Sequence, residues 1–149
     1  MNRILHSLPS ALIDCPKGVP HAGFKHYSGI LHKGKLAQRG SNHLRNCYSG
    51  RCSCFSTHAE IDAVYRLLKS KPKLDLSNYV VVVLRQSRDG TLHNSRPCNQ
   101  CLDLLVKYGI RRVVWTSDNG TFVWDSPYLM ERIHESSGWS AFLDPARLK

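Results

Sequence analysis

The stretch Ser95-Arg96-Pro97-Cys98-Asn99-Gln100-Cys101 sets two thiols three residues apart directly behind a proline. Taken alone, such a C-x-x-C pair serves a disulfide, a redox couple, a structural metal clip or the ligand set of a catalytic metal. Upstream, His58-Ala59-Glu60 offers an imidazole and a carboxylate two positions apart. By itself that triplet is only a charged helix start. Together the groups have a chemistry that neither segment has alone. Three nitrogen and sulfur ligands, His58, Cys98 and Cys101, suit a zinc ion and leave one tetrahedral position for water, which separates a catalytic site from a structural one. Glu60, two residues from His58, reads not as a fourth ligand but as a proton carrier, able to take a proton from bound water and return one to a leaving group.

Those side chains converge only if two helix starts lie side by side. Thr57 and Glu60 have the spacing of a capping box, and Ile61, Val64, Leu67 and Leu68 follow at helical intervals. The pattern predicts a helix over 58–70, closed by Lys69 and stopped near Pro72. Pro97 suits the first turn of a second helix, "CNQCLDLLVKYG", with Gly109 as its C-terminal cap. There Cys98 and Cys101 share one side, and the positive helix end favours the thiolate that a metal needs. Between the helices, "YVVVVLRQ" is a branched run without alternation, as in a central strand buried on both faces. "FKHYSGIL" and "KLAQRG" predict two strands around a turn at His32-Lys33-Gly34. "RRVVWTS" and "TFVWDS" are joined only by Asp118-Asn119-Gly120, so their strands must be antiparallel, because a parallel pair needs a crossover of about a dozen residues or more. "PYLMERIHES" reads as a last helix. The order β-β-α-β-α-β-β-α predicts an α/β fold with a mixed sheet covered by helices.

The 149 residues contain no repeat, low-complexity tract or dividing linker, and we read one domain over 1–149. No apolar run approaches the roughly 20 residues that span a bilayer, and the start has no convincing signal-peptide core, so we expect no membrane partner and a cytoplasmic or nuclear location. In such a reducing compartment the six cysteines read as ligands, catalytic groups or core residues rather than a disulfide framework. The net charge of +10 serves either solubility or attraction to phosphates.

The combination of H-A-E, a buried strand and P-C-x-x-C at a helix start resembles the zinc-dependent deaminases of the cytidine deaminase superfamily. The similarity runs from about Phe24 to Trp124. It implies a three-layer α/β/α fold with a five-stranded mixed sheet, one Zn2+ held by His58, Cys98 and Cys101, and Glu60 as the catalytic residue. The implied reaction is hydrolytic deamination of cytosine in a nucleoside or nucleotide. Zinc-activated water attacks C4, Glu60 carries its proton to N3 and then to the departing amine, and the uracil product and ammonia leave. The first hairpin, ending in Gly40-Ser41-Asn42, resembles that of the small cytidine deaminases. By that resemblance Phe24 walls the pyrimidine pocket, Asn42 bonds the sugar and Ala59 offers backbone groups to the base edge. The backbone through Arg96 and Pro97 to Cys98 lies against the amine and the attacking water. An antiparallel end to the sheet goes, in these families, with free nucleosides, and small relatives complete their sites across subunits, so the resemblance implies a homo-oligomer.

Three features depart from the small enzymes. The first ligand is histidine, as in the nucleotide and nucleic-acid branches. His43-Leu44 follows Asn42 where those enzymes add a glutamate to the sugar contact. The third is the positive charge: Arg39, Arg45 and Arg51 could serve the phosphates of single-stranded DNA or RNA, with Tyr48, Phe55 and Trp115 stacking on bases. Alternatives are therefore a cytosine deaminase of single strands, an adenosine deaminase of tRNA (whose H-A-E-I is similar), or a zinc-stabilised nucleic-acid-binding module without activity. The last has no need of Glu60. Cys47, Cys52 and Cys54 with His43 make a candidate second metal site of uncommon spacing, and Cys15 reads as buried or incidental.

Overall fold

The computed structural model describes residues 25–41, 47–48, 51–52, 58–87 and 89–133. Strand β1 (Lys25–His32) turns into β2 (Lys35–Ser41) through Lys33 and Gly34, at φ 51 and 76. Two successive positive φ values match the twist of a hairpin, and glycine supplies the second at little cost. Two short strands, β3 (Cys47–Tyr48) and β4 (Arg51–Cys52), form a separate small ribbon. Then come α1 (Ala59–Ser70), β5 (Tyr79–Gln86), β6 (Leu92–His93), α2 (Asn99–Lys107), β7 (Arg112–Thr116) and β8 (Phe122–Asp125).

The main sheet runs β2-β1-β5-β7-β8, and β6 pairs with the end of β5. β5 is antiparallel to β1 and parallel to β7, and β8 returns antiparallel to β7, so the sheet is mixed as expected. Alternation along β5 explains its central place. Val81 and Val83 join Ile30, Val113, α1 residues Ile61, Val64 and Leu67, and α2 residues Leu102 and Leu105 in one core. Val82 and Leu84 face the other way, into a second cluster with Tyr27, Leu31 and Val114. Each such side chain, fully buried, contributes roughly 1.5–3 kcal/mol. Both described helices therefore cover one face of the sheet and start beyond the carboxyl end of β5. No helix of the described residues is long and apolar enough to cross a membrane.

The loop that delivers Cys98 is tied to two strands. The Ser95 hydroxyl donates to the Val83 carbonyl at 2.8 Å and accepts the Thr116 N–H at 2.7 Å, while the Thr116 hydroxyl donates to the His93 carbonyl at 2.5 Å. Both residues are buried, where each lost bond costs about 1–3 kcal/mol.

Three expectations are corrected. Helix α1 takes His58 as its N-cap, so Glu60 is the second helical residue and not the third that a capping box needs; Thr57 lies outside the described residues. Pro97 precedes the cap Cys98 instead of entering the first turn of α2. "PYLMERIHES" makes only a turn at Pro127 to Leu129, followed by irregular chain to Ile133, its remainder lying outside the described residues. There the Arg132 guanidinium takes the carbonyls of Pro127 at 3.0 Å and Met130 at 2.6 Å, which intrahelical bonds would otherwise use. The two-residue β6 was unforeseen.

Candidate active site

The two helices open alike. His58 caps α1 with φ −74 and ψ 152, and Cys98 caps α2 with φ −72 and ψ 168. Neither makes a side-chain cap bond, although serine, threonine, aspartate or asparagine is the usual occupant. Their side chains turn to one another instead. His58 Nδ1 lies 3.2 Å from Cys101 Sγ and 3.5 Å from Cys98 Sγ, and the three ligand atoms all fall within 4.8 Å of one another. A tetrahedral ion at ordinary Zn–N and Zn–S lengths needs N···S separations of about 3.5 Å, so this donor set fits zinc.

Their protonation agrees with that fit. The Cys101 thiol bonding to Cys98, helped by His58, holds the Cys98 thiol down at about 4. Cys101 is pushed up, first by that same bond and then by burial, and His58 is raised by its bond to Cys98. The shifts favour the Cys98 thiolate, the form in which a metal takes sulfur. Glu60, 3% exposed, touches it through the Cys101 thiol. Burial raises the Glu60 carboxyl, with the His58 charge acting against that rise.

Of the remaining predicted residues, Ala59 is fully buried at the first position of α1, and Pro97 is buried beside Cys98. The Arg96 N–H donates to Asn94 Oδ1 at 2.9 Å, its Nη2 donates to the Glu131 carbonyl at 2.6 Å, and its Nη1 is buried without a hydrogen-bond partner among the described residues. Phe24, Asn42, His43, Arg45, Cys54, Phe55 and Cys15 lie outside the described residues. Cys47 and Cys52 stand opposite one another across the β3–β4 ribbon. Trp115 is half-buried and packs against the helix-side core.

Sequence reasoning missed one neighbour of the cluster, His26, and one buried acid of α1, Asp62. His26 stands opposite Arg85 across β1 and β5, and burial, then the charges of Arg85 and His58, press its imidazole down to about 4. Asp62 is buried in α1 four residues after His58. Strand alternation from Ile30 marks the inward side of His26 (an available signal), whereas nothing local distinguishes Asp62.

A mixed sheet bearing two uncapped helix starts, a nitrogen and two sulfur ligands, and a buried carboxylate defines a zinc-dependent hydrolase site. The chain belongs to the cytidine and deoxycytidylate deaminase zinc-binding region family, whose model matches residues 16–117. Zinc is its cofactor, and His58, Cys98 and Cys101 are the group that could hold it. The fold is similar to that of the cytidine deaminase from Burkholderia pseudomallei, at TM-score 0.56 and 19% identity, covering 85% of this chain and 91% of that one. It is also similar to the dCMP deaminase from the cyanophage S-TIM5 in complex with dCMP and dUMP, at TM-score 0.51 and 15% identity, covering 78% and 83%. No curated protein sequence matches the chain.

Proposed function

We propose that this chain, as a single domain over 1–149, hydrolyses the amine from the cytosine ring of a nucleoside or nucleotide, releasing ammonia and the uracil product. The observation that carries this reading is the buried Glu60 carboxyl against Cys101 in a cluster of three ligands, since a structural metal site has no use for a fourth, non-ligating acid. When bound, zinc supplies a water acidic enough to act as a nucleophile near neutral pH. Glu60 takes that water's proton, delivers it to ring N3 and then carries a proton to the amine leaving C4. Its burial keeps bulk water from competing for the proton. The backbone of Ala59 meets the base edge, that of Arg96-Pro97 lies against the amine and the attacking water, Phe24 walls the ring and Asn42 meets the sugar.

The antiparallel β7–β8 pair supports a small substrate, and the two similar structures act on cytidine and on dCMP. Exposed Trp124, Tyr128, Leu129 and Ile133 around the end of β8 support a homo-oligomer, which we propose to be cytoplasmic. The test is a deamination screen over cytidine, deoxycytidine, their monophosphates, a cytosine-containing single strand and a tRNA, with Glu60→Ala as control. Turnover of a monomeric cytosine compound, lost in the control, is the expected result. Turnover confined to the single strand, with affinity falling steeply in salt, would replace the substrate class, and none on any cytosine compound would overturn the proposal.

A further inference from the structure

Asp62 is an acid inside a helix, 4% exposed, where an unbonded carboxylate would be costly. Its Oδ2 accepts the backbone N–H of Ser41 at 3.1 Å and Arg66 Nε at 3.0 Å. The Arg66 side chain is 58% exposed, so that ion pair is weak, whereas the bond to Ser41 reaches the last residue of β2. One residue earlier the strand meets the helix backbone to backbone. A Cβ on Gly40 would stand 2.4 Å from the Ala59 carbonyl oxygen and 2.5 Å from the Ala63 nitrogen. The end of β2 is therefore fixed against the turn of α1 that carries Ala59 and Glu60.

We infer that Asp62 is a positioning residue for substrate binding: its carboxylate locks the end of β2 to the catalytic helix and so sets the point from which the chain departs toward Asn42. This rests on the proposed function, which gives Asn42 the sugar contact and α1 the base and the chemistry. Asp62 touches neither substrate nor metal in this account. Its effect falls on how well the sugar side is held relative to the ring, which is a matter of KM, and not on proton transfer by Glu60.

The experiment measures kcat, KM and bound zinc for wild type, Asp62→Ala, Asp62→Asn and Arg66→Ala on whichever nucleoside or nucleotide the wild type turns over best. Loss of a buried bond to a charged acceptor predicts that Asp62→Ala raises KM about tenfold or more, with kcat and zinc content near wild type. Asp62→Asn keeps an acceptor oxygen for the Ser41 N–H and should fall between the two, while Arg66→Ala should leave KM close to wild type. If Asp62→Ala does not fold, a raised KM with unchanged kcat in Asp62→Asn supports the inference. A merely structural role would lower thermal stability and the zinc-loaded fraction without moving KM of that fraction. Unchanged KM in both Asp62 variants, with an active wild type, overturns this inference alone; a wild type inactive on every cytosine compound overturns the function as well.

Discussion

The β5–β6 turn and the two helix starts use polar side chains for opposite ends. In the turn, Asp89 Oδ1 accepts the Thr91 N–H at 3.0 Å and the Ser87 hydroxyl, and the backbone closes through Gly90 N–H to the Ser87 carbonyl at 3.0 Å. Those bonds, the Ser87 hydroxyl first, hold the Asp89 carboxyl at about 2. Among the described residues these bonds all stay within the turn's own segment. At the helix starts His58 and Cys98 occupy cap positions yet make no side-chain cap bond and face each other across the fold. A missing cap costs about 0.5–2 kcal/mol. Stability is given up where the ligands gather, and a bound cation restores it, because binding to the folded state alone stabilises that state.

Four substitutions break or sharpen this contrast. The largest effect belongs to Cys101→Ala, which should abolish zinc in metal analysis and lower turnover by more than the roughly 10–100-fold that an outer-shell loss costs. Next is Gly40→Ala: its methyl meets backbone atoms that cannot step aside, and denaturant melts should show a loss at the upper end of the about 1–3 kcal/mol typical of overpacking. Cys98→Ser returns an ordinary cap. In zinc-free protein it should stabilise by about 1 kcal/mol relative to zinc-free wild type, while weakening metal binding. No gain would mean that the cap position is not being given up for the metal. The smallest effect is at Asp89→Ala, on a fully exposed group. With a folded value below the usual carboxylate range, Asp89 stabilises above that range and loses its contribution as pH falls toward about 2. The substitution should therefore shift only the neutral-pH melting point slightly, converge with wild type in acid, and leave zinc and turnover unchanged.

The same contrast explains what the sequence made legible. "YVVVVLRQ" fitted a central strand buried on both faces, and three residues between "RRVVWTS" and "TFVWDS" left no choice but an antiparallel pair; both stand so in the fold. His58, Cys98 and Cys101 were legible because their residue types and helix-start positions are chemical constraints that no packing rearranges. The bounds of those helices were legible to within one or two residues, but their caps were not, since capping rules assume that the cap serves the helix. At His58 and Cys98 the cap serves the cluster. The last predicted helix failed because Arg132 bonds the carbonyls of Pro127 at 3.0 Å and Met130 at 2.6 Å, an arrangement that helical spacing does not reveal. His26 was signalled by strand alternation, whereas the bond of Asp62 to the Ser41 N–H, 21 residues away, is contained in no local pattern.

A catalytic zinc site with Glu60 as its proton carrier must lose turnover and keep its metal when that carboxyl is neutralised. Bound zinc and cytosine deamination are therefore measured together in Glu60→Gln. One zinc per chain with turnover lowered by about 10²–10⁴-fold is the predicted result. One zinc per chain with undiminished turnover would contradict the claim.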